Sequence, residues 1–167
     1  MLNKSAKKAP LWQTRYSFGS TAAIMTNLAL MVGLDSEPNA KVPIIGGILV
    51  IAIADNLSDT FGIHMIYQES ENLAPKEIIA STVFNFFARI IVSLSFILLI
   101  LLLPIYMAVT ASVVWGLLLL AIISYIVAKK RSANPFWSVL AHLLIAVAII
   151  AASEILGSIL IRRFGSL

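Results

Sequence analysis

Long apolar runs alternate with short polar or proline-containing joints along the chain. Residues Met1 to Gln13 are polar and basic, and Trp12 and Tyr16 suit the aromatic belt of a membrane interface. The run from Phe18 to Leu34 predicts a first helix. Its Gly19, Ser20, Thr21, Ala22, Ala23, Thr26 and Asn27 supply the small and hydrogen-bonding side chains that let helices pack closely in lipid. Pro38, in the joint from Asp35 to Lys41, marks a turn. The next apolar run, Val42 to Ala54, holds 13 residues, against the roughly 20 that a span requires. The second helix therefore has to continue through the polar residues that follow, to about Tyr67. After a joint containing Pro75, a third helix is predicted from Ile78 to Leu103. Pro104 turns the chain into a fourth, Ile105 to Ala128, which carries no charge and is expected to face lipid. The basic loop Lys129 to Pro135 leads to a fifth, Phe136 to Ile161.

Composition makes the environment explicit. Hydrophobic residues are 60% of the 167 and charged residues 12%, half the share usual in a soluble domain, about 25%. Mean hydropathy is +0.97. The expected class is an all-α integral membrane protein with five transmembrane helices, a basic arm over residues 1–17 and a membrane domain over 18–167. The net charge of +4 does not point to nucleic acid. Lys4, Lys7, Lys8, Lys129, Lys130 and Arg131 cluster beside apolar runs, the pattern of loop charges that orient a multi-pass protein in the lipid bilayer. They predict a cytoplasmic N-terminus and, with five spans, an external C-terminus, which Arg162 and Arg163 oppose. A prokaryotic chain of this kind would sit in the cell membrane. No cysteine is present, which excludes disulfides, thiolate metal sites and cysteine nucleophiles. The basic start and first apolar run resemble a signal peptide, but the run is long and no small-residue cleavage site follows, so a retained helix is expected.

Against that background the segment from Ala54 to Glu71 is anomalous, because ionisable residues inside a span are costly and are functional by default. At about 100° per residue, Asp55, Ser58, Asp59, Gly62, Ile66 and Glu69 fall on one side of a regular helix, with Met65 at the edge. Leu57, His64, Gln68 and Glu71 fall on the other. Asp55 and Asp59, four apart, have the hard oxygen donors that suit Mn²⁺, Mg²⁺ and Fe²⁺. The plainer reading is a charge cluster neutralised by Arg89, which lies at least two turns inside the third helix and must either snorkel or pair with a carboxylate, or one protonated aspartate hydrogen-bonded to Ser58. Met65 is either a soft ligand or packing. Glu69 and Glu71 are either recruiting acids at the cytoplasmic mouth or a solvated helix end. His64 reads as a hydrogen-bonded interior histidine or proton relay, and Glu154 as a second acid on a proton path or a group near water. Thr26 and Asn27 either line a path from helix one or bond a neighbouring helix. His142 earns no role. Two aspartates on one helix do not make an aspartyl-protease pair, and neither a Gly-x-Ser-x-Gly elbow nor a His-Glu-x-x-His pair occurs, so no enzyme is expected.

Three segments together resemble the vacuolar iron transporter family. Phe18 to Leu34, ending in Gly33-Leu34, is similar to its first helix. Ala54 to Glu71 is similar to its second. Gly116 to Gly165, with Asn134-Pro135-Phe136-Trp137 at its centre, is similar to its last two. The resemblance implies a homodimer in which helices one and two line a path for Fe²⁺ or Mn²⁺, the cation being cargo exchanged for protons rather than a tightly bound cofactor. The chain departs from the family in two places. Ala22-Ala23 stands where the family carries Asp-Gly, removing a carboxylate from the path. The joint after helix two is a few residues long, so the glutamate-rich cytoplasmic domain of eukaryotic members has no counterpart. A non-transporting scaffold, with Arg89 locking the acidic face into a static network, is the alternative.

Overall fold

In a computed structural model, the chain is described over residues 12–35, 39–68 and 75–164, with side chains at 12–18, 63, 66, 67, 77 and 164 outside the description. Among the described residues every regular element is helical and there is no strand. The helices are α1 (Trp12–Leu34), α2 (Lys41–Val50), α3 (Asn56–Gln68), α4 (Pro75–Leu102), α5 (Ile105–Lys130) and α6 (Pro135–Phe164), with a π-helical turn, Ile51–Asp55, between α2 and α3. The segments Lys41–Gly62, Ile78–Leu102, Ile105–Lys130 and Pro135–Arg163 are long and apolar enough to cross a membrane, and Gly19–Leu34 of α1 is a shorter apolar stretch. This architecture is compatible with a multi-pass membrane protein.

The helix starts and stops follow local chemistry. Pro43 lies in the first turn of α2, where its missing N–H is no loss. Asn39 precedes that helix at φ 63°, in the left-handed region that asparagine enters more readily than most residues. Pro104 ends α4 and starts α5. The observed boundaries extend the expected ones outward: α1 begins at Trp12 rather than Phe18, inside the segment read as an arm, and α6 runs from Pro135 to Phe164.

α1 is the hub, touching α2, α4, α5 and α6. Close approach is built from small residues. A Cβ on Gly157 of α6 would strike the Gly33 carbonyl of α1, and one on Gly116 of α5 would meet the Leu28 side chain at 2.9 Å. Ile24, Leu28 and Met31 of α1 join Ile44, Ile48, Phe96, Ile100 and Leu120 in one apolar core. The outer surface carries large apolar side chains, Phe87, Ile91, Leu98, Leu144, Ile155 and Leu160 among them, as lipid contact demands. α5 presents Val114, Leu118 and Ile122 on an exposed apolar face and a second face to the bundle. Its stripe Ala108, Ser112, Gly116, Leu120, Ser124 and Ala128 is buried, because the small residues along one face let it pack on α1 and α6.

One end of the interior is polar. On α4, Ser81, Asn85, Arg89 and Ser93 recur every four residues and are all buried, before Phe96 and Ile100 continue the same face as apolar. Asn27 Nδ2 of α1 donates to Ser93 Oγ at 3.0 Å, while Gly19 of α1 lies against Asn85 and Arg89. Eight residues on one helix thus match eight on the other, so α1 and α4 run in the same direction. α3 runs against them, as its pairings His64 with Thr82, Asn56 with Phe86 and Asp55 with Arg89 show.

Candidate functional site

The site forms where the π turn meets α3. Across that turn the Asn56 backbone N–H reaches back five residues to the Ile51 carbonyl, in place of the four of an α-helix. In a regular α-helix a row of residues spaced by four drifts about 40° per step. The wider turn offsets that drift, so Ile44, Ile48, Ala52, Asn56 and Thr60 all remain buried along one straight seam. Asp55 and Asp59 lie one residue back from that seam and inherit its alignment, which carries both carboxylates to the same partner.

That partner is Arg89. Its Nη2 donates to Asp55 Oδ2 at 2.5 Å, and its Nη1 donates to Asp59 Oδ2. The arginine is 2% exposed, whereas the aspartate side chains are 43% and 38% exposed. A guanidinium matches such a forked contact because its donors are planar and fixed. Two carboxylates and one guanidinium leave one net negative charge. Each aspartate uses a single oxygen for the ion pair. The exposed side of the pair opens into a cavity of about 280 Å³, lined by Ala22, Met25, Thr26 and Ala29 of α1, by Asp55, Asp59 and Arg89, and by Ile149 of α6. Its walls are apolar apart from the ionic cluster and Thr26, whose hydroxyl donates to the Ala22 carbonyl.

The surrounding polar groups hold the frame. Asn56 Nδ2 donates to the Phe86 carbonyl at 3.0 Å, and Thr60 Oγ1 donates to Asn56 Oδ1 at 3.3 Å. The first bond ties α3 to α4 beside the Arg89 contacts, and the second, within α3, holds the Asn56 side chain. One turn further, His64 Nδ1 is 3.3 Å from Thr82 Oγ1. The Thr82 hydroxyl also donates to the Ile78 carbonyl at 2.9 Å.

Of the residues singled out from the sequence, Asp55, Asp59, Arg89 and Thr26 come together at the cavity. Asn27 is fully buried on the α4 side, bonded to Ser93, with its Oδ1 unpartnered, and does not line the cavity. His64 belongs to the α3–α4 seam, away from the carboxylates. Met65 is 58% exposed on the outer surface, outside the cavity lining. Glu154 is exposed on α6, likewise outside it, and Glu69 and Glu71 lie outside the described residues. The regular-helix reading also put Ser58 and Gly62 on the face of the aspartates. Both are exposed and outside the cavity lining, while Asn56 and Thr60 are buried. Among the described residues no group of three or more His, Cys, Asp or Glu side chains converges as a metal site.

Sequence reading missed Asn56 and Thr60 as the seam that positions the aspartates, and Met25, Ala29 and Ile149 as cavity walls. The four-residue recurrence of Ser81, Asn85, Arg89 and Ser93 in an otherwise apolar helix was the signal for the polar interior. No family model matches the chain, and no curated protein or solved structure matches it either.

Proposed function

We propose that this chain is a transporter of divalent transition-metal cations, Fe²⁺ or Mn²⁺, and that the cation passes through the cavity at Asp55 and Asp59 in exchange for protons. The observation that carries the reading is the pair of half-exposed carboxylates facing an open cavity within a segment long and apolar enough to span a membrane. Acids in that setting are maintained against a cost of about 2.5–3.5 kcal/mol each, and their oxygens are hard donors suited to such ions. The resemblance to vacuolar iron transporters supports the same cargo and a path between the first helix and the second rod, α2 to α3. On this reading the protein is a homodimer of five spans with a cytoplasmic N-terminus, a second copy doubles the ligand set, and Glu69 and Glu71 recruit cations at the mouth. Where the family has an acid, Ala22 lines the cavity together with Arg89, so the site carries an arginine in addition to lacking a carboxylate.

That substitution of charge favours a second reading, a static scaffold in which Arg89 permanently occupies both aspartates. Flux separates the two. Purified protein is reconstituted in liposomes loaded with a metal-quenched dye and challenged with Mn²⁺, Fe²⁺, Zn²⁺ and Mg²⁺, with and without an imposed pH gradient. Transport predicts quenching that is selective among the ions, responds to the gradient and is lost in Asp59→Asn. The scaffold predicts none for any ion.

A further inference from the structure

The amide of Asn85 is fully buried, and neither its Oδ1 nor its Nδ2 has a hydrogen-bond partner. Such groups are rare, since an unpaired polar atom pays its full desolvation cost with nothing in return. Asn85 precedes Arg89 by one helical turn. Long side chains on a helix lean toward its N-terminus and lie over the residue four positions back, so Asn85 sits where the Arg89 side chain reaches by changing rotamer. Space for both is made on α1. At Gly19 a Cβ would collide with Asn85 Oδ1 and come within 3.0 Å of Arg89 Cγ, so the asparagine amide and the arginine stem share one glycine-lined niche.

From this geometry we infer that Asn85 Oδ1 is a second seat for the Arg89 guanidinium. In the first position the guanidinium bridges Asp55 and Asp59. In the second it swings back along α4, donates to Asn85 Oδ1 and frees both carboxylates toward the cavity. Arg89 then serves as a tethered stand-in for the cargo: it neutralises the acids while they are empty and retreats to a prepared acceptor when a cation replaces it. Without that acceptor the displaced guanidinium would be a buried, unpaired cation. The use of the seat during loading rests on the transport reading, whereas the seat itself does not.

The seat is tested first without metal, by thermal melting in chelator. In the wild-type background Asn85→Leu removes only an unpaired amide, and the melting temperature holds or rises. In the Asp55→Asn/Asp59→Asn background Arg89 depends on Asn85. There Asn85→Leu lowers the melting temperature by about 5 °C or more, and Asn85→Asp, which offers a charged acceptor, raises it. Asp59→Asn alone supplies the same comparison at smaller amplitude if the double variant is too unstable to purify. Equal shifts in the altered and wild-type backgrounds overturn the seat. Loading is read separately, from the loss of the free Mn²⁺ spin-resonance signal on titration. Asn85→Leu is expected to weaken Mn²⁺ binding about tenfold, and the effect disappears in Arg89→Gln. Background-dependent melting with no Mn²⁺ binding by the wild type removes the transport reading and keeps the seat. Mn²⁺ binding that ignores Asn85, with equal melting shifts, removes the seat and keeps the transport reading.

Discussion

The sharing of one guanidinium between two carboxylates has a thermodynamic signature that single substitutions alone would miss. Arg89 is 2% exposed and holds Asp55 and Asp59 with separate nitrogens, so losing either acid leaves the cation one charged partner. Removing the last partner of a buried charge costs about 3–5 kcal/mol. The aspartates are more than a third exposed, which dilutes the contribution of each alone to about 1 kcal/mol. Asp55→Asn and Asp59→Asn are therefore expected to cost about 1 kcal/mol apiece, and the double variant about 3 kcal/mol, at the low end of the range because Asn85 Oδ1 still offers the guanidinium a neutral acceptor. For a chain of this length 1 kcal/mol moves the melting temperature by about 2–4 °C. Each single variant should fall by a few degrees and the double variant by roughly 10 °C, measured by thermal melting in detergent or nanodiscs. Two single losses that simply add to the double loss would refute the sharing. A double variant as stable as the wild type would show that these carboxylates do not hold Arg89.

Gly19→Ala places a methyl group against Asn85 and Arg89 and should cost about 1–3 kcal/mol through overpacking. Gly46→Ala, with nothing within 4 Å, should leave melting unchanged or raise it slightly. Gly157→Ala meets the backbone of Gly33, which cannot rotate away as a side chain can, so its melting loss should exceed that of Gly116→Ala, which meets only Leu28. Met65→Leu should leave cation uptake in liposomes unaltered, since that side chain is on the outer surface; a large loss would assign it the ligand role that the sequence raised.

The helical architecture was legible because apolar runs in this chain end at prolines, asparagines and basic clusters that leave little choice of boundary. The pairing of Arg89 was legible for a related reason: a guanidinium two turns inside an apolar helix has few alternatives to a carboxylate, and the one acidic segment within an apolar region was nearby. What periodicity obscured was the face of α3. The π turn at Ile51–Asp55 changes the angle between residues before and after it, so a constant 100° per residue does not carry the buried row Ile44, Ile48 and Ala52 on to Asn56 and Thr60. Nothing in Ile51-Ala52-Ile53-Ala54-Asp55 announces that turn. The bundle-facing side of α5 was obscured for a different reason, since its buried glycine, serines and alanines are too apolar as a set to contrast with the lipid-facing leucines beside them.

Transport through this cavity requires that the cation be found in it. Diffraction at the manganese absorption edge, from crystals equilibrated with Mn²⁺, would show it without reliance on a variant. An anomalous peak is expected in the cavity between the Asp55 and Asp59 carboxylates, with the Arg89 guanidinium withdrawn toward Asn85. A protein that moves Mn²⁺ yet shows its peak elsewhere, with Arg89 still bridging both aspartates, would contradict transport through this cavity.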